Sequence, residues 1–312
     1  MHRLNKTLLA AGLLVMTAAG AWAQFTAETR LVVLHASVSD KRGKLVTNLD
    51  RDSFKVFENG VAQELKLFRR EDVPVSLGLI IDNSGSMRPK RERVEAAALN
   101  LVKESNPQDE VFIVNFNDEA FLDVPFTNDV KRMETGLARI DSRGGTAMRD
   151  AIDMSINYMK TDAKKDKKVI LVITDGNDNA SNVSLERVVQ KALQSEVLIY
   201  AIGLLVEEEK HDAAKAKRAL KEITTATGGL VFYPISVGEV QQLTTEIARD
   251  IRNQYTLAYS PSQPDDGSYR QIKVVCNAPG SPSVRTRSGY YARHEDKKSA
   301  NAQSGPKAFT IQ

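Results

Sequence analysis

"VPVSLGLIIDNSGSM", residues 73–87, is the stretch on which the fold turns. An apolar run ends abruptly in Asp82, and Ser84 and Ser86 follow at intervals of two. A short apolar run without alternation is the pattern of a strand buried on both faces, which belongs in a parallel sheet covered by helices on each side. Open sheets of that kind bind ligands outside the carboxyl ends of their strands. A carboxylate and two hydroxyls just past the strand therefore stand where a ligand would be held.

Working outward, similar runs recur at 109–116 ("DEVFIVNF"), 167–175 ("KKVILVITD"), 195–205 ("SEVLIYAIGLL") and 228–235 ("GGLVFYPI"). Helix-periodic segments separate them: "KRERVEAAALNLVKES", "NDVKRMETGLARI", "MRDAIDMSINYMK", "SLERVVQKALQSE" and "KAKRALKEITTAT". Strands alternating with helices predict an α/β fold with a doubly wound, mostly parallel sheet over residues 73–250. The flanks differ. Residues 28–46 and 53–71 alternate apolar and polar positions, and Asn59-Gly60 supplies the positive-φ pair of a tight hairpin. "YRQIKVVCNA" and "SVRTRSGYYA" add further strands after the helix-to-strand passage "IARDIRNQYTLAYSP". Neither flank has enough strands for a core of its own. Residues 24–72 and 251–293 are therefore expected to form the two halves of one small β-sandwich into which the α/β domain is inserted. Two separate β-extensions are the alternative. The polar, aperiodic residues 294–312 are expected to be a disordered tail.

Residues 1–23 carry Arg3 and Lys6, then "TLLAAGLLVMTAAG" and a small-x-small "AWA", the anatomy of a secretory signal peptide. The apolar part is short for a membrane span of roughly 20 residues. Without residues 1–23 the 43 basic residues fall to 41 against 40 acids, so the exported chain is almost neutral. Near-neutrality argues against a nucleic-acid or anionic-membrane binder, and no integral membrane segment is expected in the mature chain. The single cysteine, Cys276, rules out an intramolecular disulfide and fits a buried small hydrophobe. The expected location is the periplasm or the extracellular space.

The second strand-end carboxylate is Asp175, and Gly144-Gly145 deliver Thr146 at a helix entrance. Asp82, Ser84, Ser86, Thr146 and Asp175 thus converge on one edge of the sheet. Singly, Ser86 and Thr146 fit helix N-caps and Asp175 fits a turn. Together they make a hard oxygen set suited to magnesium, with manganese or calcium as substitutes. Two carboxylates neutralise the dication, and the hydroxyls add no charge, which leaves it able to take an anionic ligand. Helix N-termini beside Ser86 and Thr146 would favour that anion further.

"DNSGSM" matches the D-x-S-x-S signature of the von Willebrand factor type A domain, and "GGTAMRDA" and "ITDG" match its later threonine and aspartate elements in order. The resemblance covers roughly residues 73–250. It implies that Asp82, Ser84, Ser86, Thr146 and Asp175 form a metal-ion-dependent adhesion site. "DSFKVFENG", "TGGLVFYP", "IRNQYTLAYSP" and "VRTRSGYYA" further resemble a bacterial family related to this domain and described from acidobacteria. The expected function is an exported, non-enzymatic binding module that captures an Asp or Glu carboxylate of a partner protein through the cation. The alternative is a metal-dependent hydrolase or phosphoryl-transfer enzyme with Asp82 as nucleophile. Asn83 and Ser84 beside Asp82 cannot serve such an enzyme as general acid or base, and the histidines lie in unrelated segments.

Export predicts a mature chain that begins at Gln24. N-terminal sequencing of the protein recovered outside the cytoplasm checks this, and Met1 on protein purified from cytosol would refute it.

Overall fold

The computed structural model describes residues 31–292 apart from 71, 105, 138–141 and 206–209. Residues 1–23, expected to be a signal peptide, and residues 294–312, expected to be a tail, lie outside the described residues. The described residues begin with β1 (Val32–Ser39), β2 (Phe54–Glu58), β3 (Val61–Gln63) and β4 (Leu65–Arg69). Next come β5 (Val75–Asp82), α1 (Arg91–Lys103), β6 (Glu110–Phe116), β7 (Ala120–Thr127), α2 (Val130–Leu137), α3 (Met148–Asp162) and β8 (Lys167–Thr174). α4 (Leu185–Ser195), β9 (Val197–Gly203), α5 (Lys210–Thr227), β10 (Val231–Phe232) and α6 (Val240–Arg252) complete the α/β region. β11 (Tyr255–Tyr259), β12 (Tyr269–Cys276), β13 (Ser283–Arg285) and β14 (Gly289–Tyr291) follow.

The central sheet runs β10-β9-β8-β5-β6-β7, parallel except for β7. Every residue of β5 is buried. Leu77, Leu79 and Ile81 pack on one side with α1 and α6, while Ile80 joins Phe112 and the apolar stripe of α3 on the other. That stripe, Met148, Ala151, Ile152, Ile156 and Met159, has the three- and four-residue spacing of one helix face. Gly78 is a packing requirement: a Cβ there would lie 2.5 Å from the Phe112 ring. β5 has β6 on one side and β8 on the other, so the chain reverses its direction of travel across the sheet there. This is the switch point at which ligands bind.

The expected fold class is therefore present, with differences in detail. β7 was not among the runs read as strands; its single fully buried position and Pro125 disguise it. As the antiparallel edge strand, β7 tolerates a residue that cannot donate to the ladder. The helix expected beside Ser86 begins at Arg91, after a 3-10 turn at Gly85–Met87. The run 228–235 yields only the two-residue β10.

Each flanking sheet mixes strands from both ends of the chain. One is β13-β1-β11-β4 and the other β14-β12-β2-β3, all antiparallel. They enclose one apolar cluster that includes Leu34, Val56, Tyr255, Leu257, Val274 and the buried Cys276. Asn59 (φ 48°) and Gly60 (φ 82°) make the β2–β3 turn. Separate β-extensions would not share a core in this way.

Where the sandwich meets the central sheet, Asp250 accepts hydrogen bonds from Tyr200 (2.6 Å) and Arg285 (2.5 Å). Gln254 donates to the Tyr200 hydroxyl and to Ser37. Nearby, Lys167 and His35 line a cavity of about 590 Å³, and the buried Lys167 ammonium donates to the Ile251 carbonyl. Burial, with Arg252 adding its charge, pulls the Lys167 pKa from 10.5 to about 7. Burial, then Lys167 and Arg287, hold His35 well below 6.5.

Between pH 7 and 10.5 unfolded Lys167 binds a proton that the folded protein does not, so stability rises with pH across that window. Thermal melts from pH 7 to 9 should show a rising Tm, by about 2–4 °C per kcal/mol gained in a protein of this size. The slope should flatten in Lys167→Met; equal slopes would refute the assignment.

Candidate metal centre

The β5–β8 register pairs Ile81 with Ile173, which sets Asp82 beside Thr174 at the carboxyl end of the sheet. Asp82 is 2% exposed. One of its oxygens, Oδ1, accepts the Ser84 backbone N–H at 2.8 Å, and Oδ2 accepts the Thr174 hydroxyl at 2.6 Å. Ser84 Oγ lies 3.1 Å from Ser86 Oγ, and Ser86 Oγ donates to Asp175 Oδ1 at 2.8 Å. The fifth residue, Thr146, approaches from the α3 loop; a Cβ on Gly176 would stand 3.3 Å from its Oγ1. Asp82, Ser84, Thr146 and Asp175 are buried and Ser86 is exposed, so the cluster opens to solvent at one corner. The structure thus gathers all five sequence-predicted residues at one sheet edge.

The duller roles of two hydroxyls do not hold. α3 takes Ala147 as its N-cap and α1 takes Lys90, neither with a side-chain capping bond. Ser84 precedes the 3-10 turn, again without one. The serine and threonine oxygens are directed by the loops.

Those loops are tied into a ring. Asn83 donates its N–H to Phe116 O at 2.6 Å, and its side-chain oxygen accepts from Ser142 Oγ at 3.0 Å and from Arg91. Gly145 N–H donates to Asp118 Oδ1 at 2.8 Å, and Thr146 N–H to Asn179 Oδ1 at 2.9 Å. Asn179 N–H returns to Thr146 O at 3.1 Å. Gly144 has φ +76°, and a Cβ on it would fall 2.1 Å from Asp118 Oδ2. Both its backbone angle and the lack of space require glycine there.

Sequence reasoning missed Thr174, Asp118, Asn179 and Lys90. Thr174 was visible only as the residue before Asp175; its contact with Asp82 depends on strand register. Asn179 lies in the loop after β8, and only its contact with the Thr146 backbone reveals its part in the cluster. Lys90 was read as a helix residue, yet its ammonium pairs with Asp175.

Burial pushes the Asp82 pKa up to about 6, against the hydrogen bonds from Thr174 and Ser84 and with the Asp175 charge adding to the rise. A desolvated carboxylate beside a second one is the electrostatic setting that a dication relieves. The donors are all oxygens, the chemistry of a hard cation. Among the described residues no group of three His, Cys, Asp or Glu side chains is placed to hold a metal ion, so hydroxyls would have to complete the oxygen set around the two carboxylates. The oxygen set fits a hard divalent cation.

Residues 77–177 match the family model described as the von Willebrand factor type A domain. Integrin alpha-11 of Mus musculus is 30% identical over 136 residues, which is 41% of this chain and 11% of that protein. An uncharacterized protein of Borreliella burgdorferi is 28% identical over 146 residues, 41% of this chain and 42% of its own length. The chain therefore spans less than half of these relatives. Proximal thread matrix protein 1 from the mussel byssus, in a structure with a zinc-occupied MIDAS motif, has a TM-score of 0.51 at 15% identity. That likeness covers 62% of this chain and 49% of the mussel protein, and it speaks to the fold alone. The family-model match runs from β5 to the loop after β8, the span that holds all five clustered side chains: this chain carries a von Willebrand factor type A domain.

Proposed function

We propose that the protein is an exported, divalent-metal-dependent protein-binding module. Asp82, Ser84, Ser86, Thr146 and Asp175 would hold a magnesium-type cation, and Thr174 would orient Asp82 from behind. The bound cation would supply a Lewis-acid position for an aspartate or glutamate carboxylate of a partner protein. The observation that carries this reading is a pair of buried carboxylates meeting three hydroxyl side chains at a sheet switch point, where one carboxyl is raised to about 6. The zinc-occupied MIDAS motif of the mussel protein supports a metal in this fold. Domain boundaries at 73 and 250, with residues 24–72 and 251–293 sharing the sandwich, belong to the same proposal.

The hydrolase alternative is disfavoured by the site's own bonding. Asp82 is 2% exposed and is tied to Ser84 N–H and Thr174, so its carboxylate is held inside the cluster rather than presented to a substrate. A nucleophile needs a neighbouring base or acid within reach of the reacting atoms. Lys90, the cation at the site, is paired with Asp175.

Calorimetric magnesium titration tests the reading. Asp82→Ala and Asp175→Ala should each lose binding by more than the roughly 10–100-fold expected for removing an outer-shell partner, which is the loss expected of Thr174→Val. Gly144→Ala should also weaken binding, because it displaces the Thr146 loop without removing a ligand. Circular dichroism should show all four variants folded. Equal magnesium affinity in wild type, Asp82→Ala and Asp175→Ala would refute the metal site. Retention of captured envelope protein in excess chelator would refute metal-dependent capture.

A further inference from the structure

We propose that Lys90 is a built-in competitor for the metal: its ammonium holds Asp175 in the metal-free protein, and the dication loads by displacing it. The inference rests on the metal reading above and concerns how that site is regulated.

Lys90 stands where helix electrostatics do not favour a cation. It is the N-cap of α1, and the positive end of a helix dipole repels an ammonium group. Arg91, next to it, is compensated many times over. Its guanidinium donates to Glu95, to Asn83, to the Leu137 carbonyl at 2.8 Å and to Ser142 Oγ at 3.4 Å. Arg91 is therefore a fixed strut between α1 and the loop at 142. The Lys90 ammonium instead pairs with Asp175 Oδ2. The lysine side chain is 16% exposed and the carboxylate 1%, so the pair is little screened by salt.

The four carboxylate oxygens of the centre are all engaged, but not equally. Ser84 N–H, the Thr174 hydroxyl and the Ser86 hydroxyl are neutral donors, and each leaves its acceptor oxygen a further lone pair. A cation added beside these three meets no opposing charge. The Lys90 ammonium carries a full positive charge at the same carboxylate, so it and a dication repel each other across Asp175. Lys90 is also the group that can leave. Its four-carbon stem is flexible, and the partial exposure gives the ammonium a route to water.

Two consequences follow. Without metal, Lys90 keeps the buried Asp175 from standing as an uncompensated charge, so the loops around it remain ordered. With metal, the energy of breaking the ion pair is subtracted from the binding energy, and the affinity is set below what the oxygens alone would give. Loading is an ion exchange, with one dication in and one ammonium released to solvent.

The test uses the full mature chain, magnesium calorimetry and thermal melts in chelator and in saturating magnesium. Lys90→Met keeps the stem and removes the charge. It should bind magnesium more tightly by roughly tenfold or more, the scale on which an adjacent opposite charge shifts a carboxylate's proton affinity. It should also melt below wild type in chelator, and magnesium should close that gap. Lys90→Arg should bind magnesium much as wild type does. Unchanged or weaker magnesium binding in Lys90→Met, with binding still lost in Asp175→Ala, would overturn the exchange and leave the metal site standing. Failure of wild type and Lys90→Met alike to bind magnesium would overturn both.

Discussion

A strand with no exposed face has to be covered on both sides, and β5 imposes that demand on the whole molecule. All eight of its residues are buried, between α1 and α6 on one face and α3 on the other. Burial of this kind is the largest favourable contribution to folding. It also confines polar chemistry, because a charge within the strand would lose its hydration without a partner. The first place where the chain can carry a carboxylate is the end of the strand. Asp82 stands there, and the reversal of chain direction across the sheet opens a cleft at the same point.

The carboxylates then govern the loops. Asp82 and Asp175 are both withdrawn from water, so each oxygen needs a donor, and the loops at 83–87, 142–146 and 174–179 are arranged to supply or support them. A left-handed glycine at 144, the Asp118 brace and the Asn179 bridge fix those loops to the neighbouring turns. The result is an oxygen-lined cluster with a raised carboxyl at its base and the Lys90 ammonium paired to its second carboxylate.

The sandwich works at the other end of the sheet. Because each of its two sheets takes strands from both ends of the chain, its core is complete only when both ends are present. The Asp250, Tyr200 and Arg285 contacts tie it to β9 and α6. Lys167 at the start of β8 lies against the seam, while Asp175 just past its end lies in the carboxylate and hydroxyl cluster. The two polar regions are thus separated by the full length of one buried strand and serve different purposes.

Much of this was legible in the amino-acid order. Apolar continuity marked β5, β6, β8 and β9, three- and four-residue periodicity marked the helices, and alternation marked the flanks. The two strand-end aspartates with the serine and threonine positions outlined the centre, because side-chain type and local spacing are properties of the chain itself. β7 escaped because an edge strand tolerates proline and needs no continuous apolar face. Tertiary structure alone decided the rest. The Thr174–Asp82 bond joins residues 92 apart, and the Lys90–Asp175 pair joins residues 85 apart. Sequence specifies which groups are charged or apolar and at what interval. Strand register and loop closure specify which of them meet, and the electrostatics of a buried site depend on that meeting.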